Sequence, residues 1–161
     1  MPLATPLIKC MNGKTPEQIV DVIISVSNIL IELHSRDISH RDIKPANILV
    51  KDDIIFLCDF GLVEYPTKAD ITPSRKDVGP HWTIAPEMKR NPSLADGKSA
   101  DVYSLAKTLW ILLTKQEKGF EGQYSVESGI DLRKFIPSIY DTPLDNLLHK
   151  STDHEPSNRP S

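Results

Sequence analysis

Two short runs of the chain carry reactive side chains at fixed spacing: His40, Arg41, Asp42, Ile43, Lys44, Pro45, Ala46, Asn47, and then Asp59, Phe60, Gly61. Asp42, Lys44, Asn47 and Asp59 offer hard oxygen and ammonium groups, which suit a hard divalent cation and the charge on phosphoryl oxygens. Taken singly, each has a bland explanation. An Asp followed by an Asn is usually a turn, and an isolated D-F-G is usually a strand end with a glycine turn. Taken together they resist that explanation, because the five specified residues of H-R-D-x-K-x-x-N recur by chance on the order of once in a few million positions.

The elements that position these residues are legible around them. Thr15, Pro16, Glu17 and Gln18 form a helix start, with a hydroxyl cap, a proline at the first helical position and Gln18 placed for a capping box. Ile19, Val22, Ile23, Val26, Leu30 and Leu33 follow at three- and four-residue intervals, which predicts a buried helix over residues 16 to about 34. Ile48, Leu49 and Val50, the turn at Lys51, Asp52 and Asp53, and then Ile54, Ile55, Phe56 and Leu57 read as a short β-hairpin. Residues 59 to 99 show no sustained period. Pro66, Pro73, Pro80, Pro86 and Pro92 fall in that stretch and predict loop. Val102, Leu105, Ala106, Leu109, Leu112 and Leu113 then predict a helix over about 100 to 114, and smaller helical pieces are expected near 130 to 136 and 143 to 151.

The motif, its position between helix and hairpin, and the D-F-G directly after the second strand resemble the protein kinases. Ala85, Pro86 and Glu87 match the A-P-E that closes the activation segment of that family. Asp101 to Leu105 are similar to the D-V-W-S-L start of its central buried helix, and Arg159, Pro160 and Ser161 to the R-P-S near its end. The resemblance covers essentially the whole chain. It implies a mainly α (α+β) fold, the larger C-terminal lobe of a kinase, helical with a short β-hairpin. Within 1–161 it implies a hinge-like start at 1–14, a catalytic loop at 40–47 and an activation segment at 59–87.

The resemblance also implies roles. Asp42 would accept or orient the proton of a substrate hydroxyl, and Lys44 would neutralise charge on the transferring phosphoryl group. Asn47 and Asp59 would hold Mg2+ against the phosphates of ATP. Lys44, two places after Asp42, is the Ser/Thr-kinase pattern, so a protein serine or threonine is the expected acceptor. His40, Phe60 and Gly61 would be structural, Glu87 and Arg159 would form a buried ion pair, and Asp101 would accept backbone N–H groups of the catalytic loop. Arg41 would pair with a phosphorylated residue, with Thr67, Thr72, Ser74 and Thr83 as candidates.

Three features qualify this expectation. The glycine-rich loop, the strand lysine and the helix glutamate of the family's smaller N-terminal lobe are not among these residues. The expected activity therefore needs that lobe or a completing partner, and the alternative is a truncated, non-catalytic interaction or regulatory module. Gly79 is followed by Pro80 where the family usually has Gly-Thr, and Thr83 stands where tyrosine is common.

Composition sets the remaining bounds. The chain has 161 residues, 39% hydrophobic and 25% charged, enough for one domain with a real core. A net charge of -3 without like-charge blocks argues against a nucleic-acid or anionic-membrane partner. Cys10 and Cys58 form no C-x-x-C pair, which fits free thiols in the cytoplasm. No apolar run exceeds the length of Ile54 to Cys58, far below the ~18 residues of a membrane span.

Overall fold

The computed structural model describes residues 4–65, 82–138 and 142–161. In chain order the elements are β1 (Thr5–Pro6), α1 (Leu7–Cys10), α2 (Pro16–Ser35), β2 (Ile48–Lys51), β3 (Ile54–Leu57), α3 (Pro86–Arg90), α4 (Gly97–Thr114) and α5 (Thr142–Ser151). Short 3-10 turns lie at Pro45–Asn47, Phe60–Leu62, Leu132–Lys134 and Pro156–Asn158. The architecture is a helical layer with a small antiparallel sheet at one side, in the order β1-β2-β3.

The start of α2 forms as its four residues dictate. Gln18 N–H donates to Thr15 Oγ1 at 3.4 Å and Thr15 N–H donates to Gln18 Oε1 at 3.1 Å, closing the capping box. By length and composition alone α2 could cross a bilayer. In the fold Ile19, Ile23, Val26 and Leu30 are buried in the main core, where α2 packs on α4. Burying each of these side chains contributes roughly 1.5–3 kcal/mol.

The hairpin turns at Asp52 and Asp53, both with positive φ (50° and 59°), the geometry that matches the twist of two antiparallel strands. Its register pairs Leu49 with Phe56 and Lys51 with Ile54. A third strand joins it, because β1 pairs Thr5 with Val50 and Pro6 with Leu49. Two residues ending in proline carry no strand periodicity, so β1 exists through pairing alone. Val50, Ile55 and Leu57 pack toward the core, while Ile54 and Phe56 stay exposed on the opposite face.

Central helix α4 begins three residues earlier than its apolar period suggests. Asp96 caps it by accepting from Lys98 N–H at 3.0 Å and from the Ser99 hydroxyl at 2.7 Å. Nearly every α4 residue is buried, including the polar Asp101, Ser104, Lys107 and Thr108. Lys107 donates to the Phe120 carbonyl at 2.9 Å and the Gly122 carbonyl at 2.5 Å, and its Nζ lies 3.3 Å from the Phe120 ring centroid. Burial pushes its ammonium down to about 6, and its two hydrogen bonds to carbonyls secure the 117–122 loop.

Other expectations shift in detail. The piece near 130 to 136 is a single 3-10 turn, α5 covers the one near 143 to 151, and α1 and α3 are short helices within stretches that lack a helical period. Pro86 opens α3 at its first position, where its missing N–H costs nothing. Pro66, Pro73 and Pro80 lie outside the described residues.

Arg159 joins the two ends of this lower half. Its Nη1 and Nη2 meet Glu87 Oε1 and Oε2 at 2.5 and 2.9 Å, its Nε donates to the Asp153 carbonyl, and Nη1 also donates to the Ser99 carbonyl. The guanidinium side chain is fully buried and the Glu87 side chain only 16% exposed. Removing one partner strands the other charge. Arg159→Ala should therefore lower unfolding free energy by ~3–5 kcal/mol, read as a shift in denaturant midpoint; an unchanged unfolding curve would contradict it.

Candidate active site

The loop between α2 and β2 is held from below by one carboxylate. Asp101, fully buried in α4, accepts from the backbone N–H of His40 at 2.8 Å and of Arg41 at 2.6 Å, and its Oδ2 lies 3.0 Å from His34 Nε2. Hydrogen bonds to a charged acceptor contribute about 1.5–3 kcal/mol each. They fasten a backbone that must turn sharply, since Arg41 has φ 66°.

His40 sits beneath the loop with both ring nitrogens engaged. Nε2 meets the Cys58 carbonyl at 3.1 Å, and Nδ1 accepts from Asp42 N–H at 3.3 Å, which assigns the ring proton to Nε2. Its ring packs on Phe60 with centroids 4.8 Å apart. The histidine therefore carries architecture and has no nitrogen left for proton transfer.

Above it, three side chains converge. Lys44 Nζ reaches Asp42 Oδ1 at 3.1 Å and Oδ2 at 2.8 Å, and Asn47 Nδ2 donates to Asp42 Oδ2 and to its carbonyl, both at 2.9 Å. The Lys44 and Asp42 side chains are 12% and 14% exposed, so the pair is shielded yet open at its rim. Asp59 stands at the end of β3 in the left-handed region (φ 62°) with its residue exposed. Cys58 N–H donates to the Asn47 carbonyl at 2.9 Å and keeps the strand end beside the loop. Burial pushes the Cys58 thiol up, the Asp59 and Asp42 carboxylates push it further, and the Lys44 charge opposes them.

Residues 5–161 match the protein kinase domain family. The chain belongs to that family. Among relatives, the R436 protein of Acanthamoeba polyphaga mimivirus, whose name places it with serine/threonine-protein kinases, is 32% identical over 146 residues, covering 89% of this chain and 52% of that protein. The dual specificity protein kinase shkB of Dictyostelium discoideum is 39% identical over 141 residues, 80% of this chain and 20% of that protein. The serine/threonine-protein kinase PknF of Mycobacterium tuberculosis is 33% identical over 159 residues, 92% of this chain and 33% of that protein. The chain thus spans between about half and a fifth of the length of these relatives.

The singled-out residues that fall within the described part of this kinase domain can now be placed. Asp42, Lys44 and Asn47 come together, Asp59 is tethered beside them, and Asp101 and the Glu87–Arg159 pair stand where the motifs imply. Gly61 lies exposed in the 3-10 turn after Asp59. Among the described residues no three His, Cys, Asp or Glu side chains cluster as a ready-made metal cage. One carboxylate and one amide fit magnesium, which takes few protein ligands and fills its shell with phosphate and water.

In the unphosphorylated chain Arg41 is paired with a carboxylate. Its Nη1 meets Glu64 Oε2 at 3.1 Å, and its Nη2 faces the Pro92 carbonyl and Met88 sulfur. Glu64 is positioned by backbone pairing with Ser39, each N–H donating to the other's carbonyl at 3.0 Å. Thr83 is buried and unsuited to accept phosphate in this state; Thr67, Thr72 and Ser74 lie outside the described residues. His34, Glu64 and Gly97 carried no motif signal, because their importance arises only from what folding brings against them.

Gly97 is the plainest case. A Cβ there would overlap Ser39 Oγ and lie 2.8 Å from Ser39 Cβ, just before the loop. Gly97→Ala should cost ~1–3 kcal/mol by overpacking, and Ser39→Gly in the same chain should recover part of that loss. Additive effects in the double-mutant cycle would contradict the proposed contact.

Proposed function

We propose that this chain is the C-terminal catalytic lobe of an ATP- and magnesium-dependent protein serine/threonine kinase, working with an N-terminal lobe in the cytoplasm. The observation that carries it is the Asp42 carboxylate held at once by Lys44 and Asn47. Asp42 receives the proton of the acceptor hydroxyl as its oxygen bonds to the γ-phosphorus and the bond to the bridging oxygen of ATP breaks. Lys44, already on that carboxylate, neutralises charge on the transferring group. Asn47 spends its Nδ2 on Asp42, so its carbonyl oxygen and the Asp59 carboxylate are the atoms to hold magnesium. Bound magnesium would offset phosphate charge.

Exposed Ile54 and Phe56 on the open face of the sheet support an apolar surface for a nucleotide base and for the smaller lobe. Lys44 two places after Asp42, and relatives named as serine/threonine-protein kinases, support a hydroxyl of serine or threonine as acceptor. The free thiols Cys10 and Cys58 support a reducing compartment.

Labelled-ATP phosphotransfer by the full gene product tests this. Asp42→Asn should lower kcat by roughly 10²–10⁴, the usual contribution of a general base. Transfer undiminished in the variant would overturn the role of Asp42. Transfer absent from wild-type protein that is folded by circular dichroism would overturn the enzymatic reading in favour of an interaction module built on the open sheet face.

A further inference from the structure

The outer face of α2 is apolar and uncovered. Ile24 and Ile31 are 52% and 63% exposed there, while Ile23, Val26 and Leu30 on the core side of the same helix are buried. Seven residues apart, the two isoleucines project within about 20° of each other and form one stripe. The run from Val22 to Ile31 carries no charge, and Asp21 and Glu32 close it at either end. Hydroxyls along this length turn inward: Ser25 Oγ donates to the Asp21 carbonyl at 3.1 Å and Ser27 Oγ to the Ile24 carbonyl at 2.8 Å. Each spends its proton on its own helix, which lowers the cost of drying this face.

Charge is distributed unequally along the stripe. Glu17 and Asp21 stand exposed at its N-terminal end, and Arg36, with its side chain 69% exposed, stands at its C-terminal end. Arg36 gives its Nε and Nη2 to Glu32 Oε1 at 2.9 and 2.5 Å, so among the described residues its Nη1 is unspent. A two-fold axis crossing α2 midway between Ser27 and Asn28 carries Ile24 onto Ile31 of a second copy. The same rotation brings Arg36 level with position 19 of that copy, two residues or about 3 Å along the helix from both Glu17 and Asp21. It also keeps each flank of the helix beside the same flank of its copy, and Asp21, Glu32 and Arg36 share one flank. The short side chains of Ser27 and Asn28 fall at the axis, where two helices approach most closely.

We propose that two copies of this chain pair antiparallel through the outer faces of α2, with Ile24 of each against Ile31 of the other and Arg36 of each between Glu17 and Asp21 of the other. A two-fold contact needs a patch complementary to itself. This face meets that condition, because one rotation sets apolar on apolar and cation on anion. A uniformly basic partner helix would face Arg36 with a like charge, and a uniformly acidic one would do the same to Glu17 and Asp21. The mixed ends therefore favour an antiparallel copy. Confined to one helix face, the contact belongs to the weak, transient class of interfaces. Phosphotransfer by the chain is not a premise of this pairing.

The test is sedimentation velocity of the full gene product from low-micromolar to sub-millimolar concentration. The wild type should pass from monomer toward dimer across that range. Ile24→Glu enters a two-fold interface twice and should weaken pairing about tenfold or more, which corresponds to at least about 1.4 kcal/mol. Asp21→Arg and Arg36→Glu should each weaken it as well. Their equimolar mixture should recover wild-type affinity to within about threefold, because the mixed dimer regains an ion pair at both ends. These two charge variants lie at exposed sites and decide the matter even if Ile24→Glu fails to fold. A monomer at every concentration, a dimer indifferent to the substitutions, or a mixture no tighter than either variant alone would overturn the inference. Adsorption of a monomer to phosphatidylcholine vesicles would assign the face to lipid and overturn it too.

Discussion

Everything at the site hangs from the Asp101 carboxylate. A loop that brings three functional side chains into hydrogen-bonding distance needs a fixed backbone, and a backbone turned through positive φ at Arg41 does not fix itself. Asp101 supplies the anchor by taking the His40 and Arg41 amides, and it can do so because α4 is buried along nearly its whole length. The cost of burying a carboxylate is met by three donors, with His34 from α2 as the third. Helix α4 thus acts as a rigid post. Its N-terminal half holds the catalytic loop, Ser99 beside Arg159 holds the ion pair, and Lys107 holds the 117–122 loop.

The same economy explains why side chains of high polarity are buried here without being reactive. His40, Asp101, Lys107 and Arg159 are each almost fully enclosed, and each is satisfied by backbone groups or by one opposite charge. Asp42 and Lys44 differ in being enclosed but open at the rim. Arg41 belongs between the classes: it meets Glu64, whose side chain is 48% exposed, so its partner remains accessible to water. Among these residues, burial separates the groups that hold the fold from those available to a substrate.

Much of this was legible in the residues and some was not, for physical reasons. Thr15 with Gln18, and the Ile19-to-Leu33 period, announced α2 because capping and amphipathicity are local. The Asp42, Lys44, Asn47 and Asp59 set was legible because the two motifs that carry it resemble those of the protein kinases. The start of α4 was not, since Gly97 is a poor helix former and is present to make room for Ser39. Strand β1 was not, since Thr5 and Pro6 become a strand only by pairing with Val50 and Leu49. Glu64 as the partner of Arg41 depends on a backbone bridge to Ser39, a contact that no period in the sequence encodes. The pattern is that local signals were read and side chains whose meaning lies in a distant neighbour were missed.

Residue-level amide hydrogen exchange on the wild-type chain and on Asp101→Asn tests the central claim most directly. If Asp101 anchors the catalytic loop, the His40 and Arg41 amides exchange slowly in the wild type, at rates comparable to core amides of α2 such as Val26. In the variant they become fast while Val26 stays protected. Unprotected His40 and Arg41 amides in the wild type, or protection that survives the substitution, would contradict the account.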